Sequence, residues 1–576
     1  MEKKELKKRL DVAAGRIMAD LVVKNCKVVN VFSGQIEEND IAICDGIIMG
    51  IGVYSGKKEL DANGCYVIPG LIESHIHIES SFVTPEEIGR LLVPHGTTTI
   101  IADPHEIVNV AGISGLKYMM EASENTVLDI KYMIPSCVPA TPFEHSGANV
   151  DAEEMKTLIL DEQILGLGEY MNVPGVVNAQ EKELDKLLLA INNGKKIDGH
   201  CPGLSGKQLN AYALAGISTD HECSTVEEMQ ERINRGMYVQ IRQGSACHDL
   251  AKLVKGVNSV NSRRCLLCSD DRQPKTIFEE GHLEGHLKAC VKEGIDPITA
   301  IQMGTLNAAE CYGLWDRGAI APGRRADLVF VNNLTDFEVC KVLIQGVPVA
   351  EHGTYLPEVK RKDISSMIGS VKVKDFSAEK LKLKLNSPHI HVIEIHSGSI
   401  VTGKGKADVT LDSSGDFIFE PEKDICKMAV IERHHGTGNM SVGFLRGYGI
   451  KKGAVAISVA HDSHNLIVAG TNNEDMELAV KELIRMQGGA VLTCDGEVLE
   501  TMALPVGGIM SDQSGKWVDE KLVSLHQIAC KELGVNEAVD PLMTLCFMAL
   551  PVIPELKMTD MGLFDVGKFE FISIEQ

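Results

Sequence analysis

Eight short β-rich runs recur through the middle of the chain, each ending in polar residues and each followed by a stretch with helical patterning. The runs are IPGLIESHIH, TTTIIADPHE, DIKYMIPS, ILGLGEY, KIDGHCP, AGISTDHE, MYVQIRQGS and CLLCSDD. Eight alternating β/α units within about 250 residues are typical of a (β/α)8 barrel. A doubly wound sheet is the structural alternative, but that fold does not normally need eight units. We therefore predict an α/β chain with a TIM-like (β/α)8 barrel across residues 68–316.

The segments on either side of the barrel predict two further units. Residues 1–67 and 317–365 contain Val- and Ile-rich strands with Gly, Asn and Asp turns, such as LVVKNCKVVN and ADLVFVNN. We expect these two segments to build one small, discontinuous β-sandwich domain. Residues 377–576 mix Gly-rich turns, strand-like GAVAISVAHD and helical MELAVKELIRMQ, which predicts a C-terminal α+β domain.

Charge and the terminal sequence limit the classes of partner. The chain has 57 Lys and Arg against 80 Asp and Glu, a net charge of −23, which argues against a nucleic-acid partner. No run approaches the roughly 18 apolar residues of a membrane span, and MEKKELKKRL lacks the apolar core of a signal peptide. We expect a cytoplasmic homo-oligomer with reduced cysteines, a small-molecule substrate and no membrane partner.

The polar residues at the run ends predict a metal centre, because the active sites of such barrels lie at the carboxyl ends of the strands. In a strand, residues i and i+2 face the same side, so the two histidines of the first run can bind one ion. Glu169 ends the fourth run and is the candidate bridging ligand. The predicted ligands are His75, His77, Glu169, His200, His221 and Asp270. The alternatives are a polar strand end, a salt-bridged rim glutamate and core histidines.

Six nitrogen and oxygen donors suit two divalent ions of Zn, Mn or Fe. Two such ions would hold a bridging hydroxide at neutral pH, which predicts hydrolysis at an sp² carbon. Asp270 would accept the hydroxide proton and later pass it to the leaving group. Adjacent carboxylates point in different directions, so we assign Asp270 to the metal and Asp271 to the substrate.

The Asp-Pro-His-Glu sequence at the end of the second run leaves two interpretations open. Asp103 is a candidate proton shuttle, and His105 a candidate metal ligand or substrate-positioning residue. The alternative is a helix N-cap, since Asp followed by Pro is favourable at a helix start.

With these residues in place, the chain resembles the amidohydrolase superfamily. That family has HxH on strand 1, a bridging ligand on strand 4, His on strands 5 and 6, and Asp on strand 8. More closely, the chain is similar to the bacterial adenine deaminases in GLIESHIHIESS, ADPHEI, GLGEYMN, DGHCPGLSG, TDHE and CSDDR, and in the C-terminal ERHHGTGN and SVAHDSHN. The resemblance implies hydrolysis of adenine to hypoxanthine and ammonia, in purine salvage. It favours Mn²⁺ as the metal, with Fe²⁺ and Zn²⁺ as alternatives.

The resemblance also implies roles for further residues. Asp103 or Glu169 would protonate a ring nitrogen while C6 is attacked, and Asp270 would protonate the departing amine. The predicted substrate-binding residues are His105, Glu222, Arg242 and Asp271. Arg242 has an alternative role, which is to neutralise the acidic barrel mouth.

Two questions are left open by the sequence. The histidines of the C-terminal domain either cap the barrel mouth, in the same chain or a neighbour, or are ordinary loop residues: His434, His435, His461 and His464. Within the same superfamily, the alternative function is a dinuclear-metal amidase that acts on a cyclic amide. A non-catalytic scaffold is disfavoured, because all six predicted ligands are present.

Overall fold

The structure, a computed structural model, describes residues 2–576. Its N-terminal segment forms helix α1 (Lys3–Ala13) and five strands: β1 (Ala19–Asn30), β2 (Gln35–Cys44), β3 (Ile47–Gly52), β4 (Gly56–Asp61) and β5 (Tyr66–Pro69). β1 pairs antiparallel with β2 and parallel with β4 and β5. Val22 and Val28 of β1 are fully buried, as expected for β-branched residues in a central strand.

The eight β-rich runs form the strands of the barrel, in the predicted order. They are β6 (Leu71–His77), β7 (Thr97–Ala102), β8 (Asp129–Ile134), β9 (Ile164–Tyr170), β10 (Lys196–Gly199), β11 (Thr219–Asp220), β12 (Tyr238–Arg242), and the eighth run as β13 (Cys265–Cys268) and β14 (Asp270–Asp271). Every ladder among them is parallel. The predicted barrel is confirmed.

Two junctions join the two parallel sheets of the barrel into a closed ring. The eighth run bends at Ser269, so that β13 pairs with β12 whereas β14 pairs with β6. Between β10 and β11, the Ser218 N–H donates to the Ile197 carbonyl over 3.0 Å. Because all strands run parallel in a closed barrel, their carboxyl ends meet at one mouth.

Twelve helices accompany the barrel strands within residues 71–312. They are α2 (Pro85–Leu92), α3 (His105–Ser123), α4 (Ala152–Met155), α5 (Val173–Val177), α6 (Glu181–Asn192), α7 (Gly206–Leu214), α8 (Val226–Ile233), α9 (Leu250–Leu253), α10 (Pro274–Glu280), α11 (Leu283–Lys292), α12 (Pro297–Met303) and α13 (Leu306–Tyr312). In residues 2–576, no helix has both the length and the apolarity needed to cross a membrane.

The chain then returns to the first sheet. Strands β15 (Leu328–Val331), β16 (Val339–Ile344), β17 (Val347–Glu351) and β18 (Thr354–Tyr355) extend it in the order β18-β17-β16-β15-β5-β1-β2-β3, with β4 beside β1. The β15–β5 antiparallel ladder joins the two flanking segments. One nine-stranded sheet is therefore built from both sides of the barrel.

The C-terminal unit is built on an eight-stranded sheet, in the order β20-β19-β24-β23-β26-β25-β27-β28. Its helices are α14 (Asn473–Met486), α15 (Gly515–Lys531) and α16 (Pro541–Cys546). Its strands are β19 (His389–Ile395), β20 (Thr402–Asp408), β21 (Thr410–Leu411), β22 (Phe417–Ile418), β23 (Ile425–Ile431), β24 (Met440–Arg446), β25 (Ala454–Ile457), β26 (Leu466–Gly470), β27 (Gly489–Cys494), β28 (Glu497–Ala503), β29 (Leu556–Thr559), β30 (Gly562–Asp565) and β31 (Glu570–Ile572).

The C-terminal unit packs directly on the barrel. The Asn465 amide donates to the His145 carbonyl over 2.8 Å, and His435 Nε2 donates to the Ser146 carbonyl over 2.8 Å. A third contact runs from the Ser511 N–H to the Phe82 carbonyl, also over 2.8 Å. These contacts hold the unit against the loops that follow β6 and β8, at the barrel mouth.

A buried arginine ties together the ends of β10 and β11. The Arg232 side chain is fully buried; its Nε donates to Asp220 Oδ2 over 2.9 Å. The two terminal nitrogens donate to the Leu204 and Cys201 carbonyls over 2.7 and 2.6 Å. Within residues 2–576, Arg232 is the one cation that forms a salt bridge with Asp220, so removing the guanidinium would leave a buried charge unpaired.

We expect Arg232→Met to lower the free energy of unfolding of the barrel by about 3–5 kcal/mol. The matched control is Arg235→Met near the end of the same helix, where a partly exposed pair with Glu231 contributes no more than about 1 kcal/mol. Urea unfolding followed by circular dichroism measures both. Equal midpoints for the two variants would contradict the role of Arg232.

Candidate metal centre and active site

Two histidines of β6 face into the barrel mouth beside a carboxylate of β14. His75 Nε2 and His77 Nε2 lie 3.2 Å apart, and Asp270 Oδ1 lies 3.1 Å from His77 Nε2. The i, i+2 spacing puts both imidazoles on one face, and the β14–β6 ladder sets Asp270 opposite Ile76. Three predicted ligands therefore converge from strands that are distant in sequence but adjacent in the barrel.

Glu169, at the end of β9, lies between two groups of histidines. Its Oε1 is 3.5 Å from His77 Nε2 and 3.1 Å from His105 Nδ1. Its Oε2 is 2.8 Å from His200 Nδ1 and 3.2 Å from His221 Nε2. A carboxylate with each oxygen turned to a different set of imidazoles has the arrangement required of a bridging ligand.

The protonation states of His75, Glu169 and Asp270 suit metal binding. Burial, together with the nearby His221, lowers the pKa of His75 to about 4, which leaves a neutral imidazole. Burial opposes the ionisation of Glu169, but hydrogen bonds from the surrounding histidines hold its pKa well below its ordinary value. The pKa of Asp270 is likewise held well below its ordinary value, against burial, by the two β6 histidines and Arg242.

The donor set fits divalent metal ions. His77 Nδ1–H donates to the Asp103 carbonyl over 2.8 Å, so the lone pair is on Nε2, the atom that faces the cluster. Ligand atoms that share one ion at about 2.1 Å are separated by about 3.0–3.4 Å, the range in which the His75 and His77 nitrogens lie. Imidazole and carboxylate donors favour Zn, Mn or Fe. The sets that converge within 4.8 Å include His75, His77 and Asp270; His75, Glu169 and His221; and His200, His221 and Glu222.

Asp103 does not cap a helix, so the N-cap interpretation is wrong. Helix α3 begins at His105 with Pro104 at the N-cap and no side-chain cap. Asp103 Oδ2 instead accepts the Glu169 backbone N–H over 2.8 Å, while its Oδ1 is buried and has no hydrogen-bond partner among residues 2–576. Burial raises the pKa of Asp103 to about 6. Asp103 thus lies beside the cluster with one oxygen free, and its proton-shuttle role stays a prediction.

The predicted substrate-binding residues line one cavity over the cluster. Asp271 accepts a hydrogen bond from Ser80. The Arg242 guanidinium contacts Glu222 and also donates to Asp270 Oδ2 over 2.9 Å. This charge pairing favours the neutralising role of Arg242, although its side chain forms part of the cavity wall. Substrate contact by these four residues stays a prediction.

The C-terminal unit supplies the opposite wall of this cavity. Its apolar part contains Ile400, Phe547, Leu550, Val552 and Ile553. The Lys557 ammonium donates to the carbonyls of Ile400 and Phe547 over 2.9 and 3.0 Å. Burial lowers the pKa of Lys557 to about 7. One buried side chain therefore holds the two backbone segments that carry Ile400 and Phe547 in this wall.

Four polar residues where the C-terminal unit meets the barrel were not assigned a role from the sequence or were left open there. Glu106 contacts His461 and His464 of the C-terminal unit, and Asp462 also lines the cavity. Of the histidines left open, His434 and His435 bond to the carbonyls of Ser463 and Ser146 and do not line the cavity. The concentration of histidines was the only sequence signal, and it did not indicate which barrel residue they meet.

Imidazole and carboxylate donors that converge at the carboxyl ends of a (β/α)8 barrel define a metal-dependent hydrolase of the amidohydrolase class. Family models agree: the amidohydrolase family model matches residues 66–349, and the model of the adenine deaminase C-terminal domain matches residues 399–570. The chain is 60% identical over 575 residues to adenine deaminase 2 of Desulfotalea psychrophila and 51% identical over 576 residues to adenine deaminase of Ligilactobacillus salivarius, with 100% of both chains covered in each case. The chain belongs to the adenine deaminase family.

Among solved structures, the match to enamidase has a TM-score of 0.45 and 19% sequence identity, and covers 59% of this chain and 98% of that one.

We expect His77→Ala to lower the amount of divalent metal retained per chain, because it removes a nitrogen that faces both Asp270 and Glu169. The measurement is plasma mass spectrometry after dialysis against Mn²⁺. His526→Ala on α15 is the control, since its imidazole is partly exposed and outside the cluster. Equal metal content in His77→Ala and the wild type would remove His77 from the ligand set.

Proposed function

We propose that this chain catalyses the hydrolytic deamination of adenine to hypoxanthine and ammonia, as a step of purine salvage. The observation that carries the proposal is full-length identity of 60% to a protein named adenine deaminase 2, which extends through the C-terminal unit. The cluster of imidazoles and carboxylates at the barrel mouth supports it, because displacing an amine from an aromatic carbon requires an activated water.

Two divalent ions are the proposed cofactor, with Mn²⁺ favoured and Fe²⁺ or Zn²⁺ as alternatives. One would be held by His75, His77 and Asp270, and the other by His200 and His221, with Glu169 between them. The opposed orientation of the two Glu169 oxygens supports this division. When bound, such ions supply Lewis-acid activation of water and substrate.

The carboxylates of the cavity have complementary parts in proton transfer. Asp270, ionised and held by Arg242, would accept the proton of the attacking water and return it to the departing amine. A ring nitrogen must gain a proton as C6 becomes tetrahedral. Asp103 is suited to this, because one of its oxygens is free of protein donors. Glu169 is the alternative donor.

The base itself would be held by His105, Glu222, Arg242 and Asp271, which line the cavity. A cavity walled by carboxylates on one side and apolar side chains on the other suits a flat heterocycle with exocyclic and ring N–H groups. Homo-oligomerisation, the absence of a nucleic-acid partner and a cytoplasmic location stay predictions from the sequence.

The test is ammonia release from adenine by metal-free protein reconstituted with Mn²⁺, Fe²⁺ or Zn²⁺. We expect turnover to rise until about two equivalents of metal are bound, as for a dinuclear site. Two bound metals without ammonia release from adenine, for any ion, would contradict the proposal. The function would then be sought among hydrolases of cyclic amides.

A second prediction concerns proton transfer by Asp270. We expect Asp270→Asn to lower kcat by about 10²–10⁴-fold, the usual contribution of a positioned acid–base group. Metal content is measured in the same preparation, to separate lost metal from lost proton transfer. Asp185→Asn, on the exposed side of α6, is the control. Full turnover with both metals retained in Asp270→Asn would show that Asp270 is not the proton carrier.

A further inference from the structure

A buried polar trio joins the barrel to the C-terminal unit. Glu106, at the start of α3, meets His461 and His464 of the sequence HDSH, residues 461–464. His461 Nδ1 is 2.5 Å from Glu106 Oε1, and His464 Nε2 contacts Glu106 Oε2. Each carboxylate oxygen therefore meets one histidine of the other unit. None of the three residues has a role in the chemistry described so far.

The trio has the composition of a metal site, but its hydrogen bonds favour a different use. His464 Nδ1 accepts the Ala460 backbone N–H over 3.2 Å. An imidazole that accepts at Nδ1 carries its proton on Nε2. His464 Nε2 thus donates to Glu106 and has no lone pair to offer an ion. The arrangement is a hydrogen-bonded chain in which His464 fixes Glu106, and Glu106 fixes His461.

His461 has an unused nitrogen on the cavity wall. Its Nδ1–H donates to Glu106, and its ring stacks on Phe547 with centroids 4.6 Å apart and planes 16° apart. Within residues 2–576, Nε2 has no hydrogen-bond partner, while the side chain lines the cavity over the metal cluster. Against burial, the charge of Glu106 raises the pKa of His461 to about 9, so the ring is protonated and Nε2–H is a free donor. A ring fixed on one side by a carboxylate and on one face by an aromatic points this donor in a single direction.

The next residue, Asp462, adds a second unpaired group on the same wall. Within residues 2–576, neither of its carboxylate oxygens has a hydrogen-bond partner; Oδ2 is fully buried, and the more accessible Oδ1 is 3.7 Å from His105 Nε2. Buried polar atoms are nearly always paired, so an unpaired carboxylate oxygen in a cavity indicates a ligand that donates a hydrogen bond. His461 and Asp462 together match a heterocycle that carries both a ring-nitrogen acceptor and an N–H donor.

We propose that His461, oriented by Glu106, donates a hydrogen bond from Nε2–H to a ring nitrogen of the purine base, and that Asp462 accepts a hydrogen bond from an N–H group of the base. His464 is a positioning residue that acts through Glu106. The inference rests on the proposed function, because it takes a purine as the occupant of the cavity. It makes the C-terminal unit part of the substrate site rather than a cover over it.

A matched pair of substitutions distinguishes the contributions of the two ring nitrogens of His461. His461→Asn retains an amide donor near the Nδ1 position, facing Glu106, and removes the cavity group. His461→Gln restores a donor near the Nε2 position. We expect His461→Asn to lower kcat/KM for adenine by about 10- to 100-fold, with metal content unchanged, and His461→Gln to recover part of that loss.

Analogues of adenine identify the contact itself. The probes are 1-deaza-, 3-deaza- and 7-deazaadenine, each lacking one ring acceptor, measured as competitors of adenine turnover. In the wild type, the analogue that lacks the partner of His461 should bind at least about 10-fold more weakly than the other two. In His461→Asn that difference should vanish, because the contact is already absent. A difference that persists in the variant, or no difference in either protein, would overturn the proposal.

The positioning role of His464 has its own readout. His464→Asn removes the donor at the Nε2 position that meets Glu106. We expect it to lower kcat/KM less than His461→Asn does, and the double variant to lose no more than His461→Asn alone, because both act on one contact. Independent, multiplicative losses would show that His464 acts elsewhere. His435→Asn is the matched control, since it is a histidine of the same unit that bonds to a barrel carbonyl but does not line the cavity.

Failure of the proposed function is distinguishable from failure of this inference. If the wild type released no ammonia from adenine, the proposed function would be wrong, and His461 would be tested by calorimetric titration with adenine. Weaker binding in His461→Asn than in His435→Asn would then support the contact. Equal binding in those two variants, or unchanged kcat/KM in an active His461→Asn enzyme, would overturn it.

Discussion

The ladder between β14 and β6 is the constraint on which the whole site depends. It sets Asp270 opposite Ile76 and Asp271 opposite His77, so the last strand of the barrel supplies a carboxylate to the histidines of the first. Only a closed barrel brings these strands together, since an open sheet would leave them at opposite edges. Because the eighth run bends at Ser269, its first part pairs with β12 and its last part pairs with β6. Barrel closure and assembly of the donor cluster are therefore the same event.

Most of the barrel and its donor cluster could be predicted from the sequence, because both follow local rules. Strand period puts His75 and His77 on one face, and parallel strands bring their carboxyl ends to one mouth. Glu169, His200 and Asp270 needed no knowledge of side-chain packing, only the position at which each apolar run ended. The structure brings these residues within contact of the same cluster.

The contacts between units could not be predicted in this way. Asp103 had the sequence of a helix cap, yet its carboxylate accepts the backbone N–H of Glu169 on β9, two strands away in the barrel. Glu106 is one residue beyond His105 and meets His461, more than 350 positions later in the chain. The hydrophobic periodicity of either segment alone does not predict such a pairing. It depends on how the C-terminal unit docks, which is a property of two surfaces together.

The Glu106–His461 contact also has a consequence for the order in which the protein is made. A ribosome releases the barrel strands and their donor groups well before it synthesises the HDSH sequence and the apolar wall residues near Phe547. Until those later residues emerge and dock, Glu106 lacks the imidazoles of His461 and His464, and the cavity lacks a wall. The nascent barrel can thus assemble its donor cluster while the cavity over it is still unfinished.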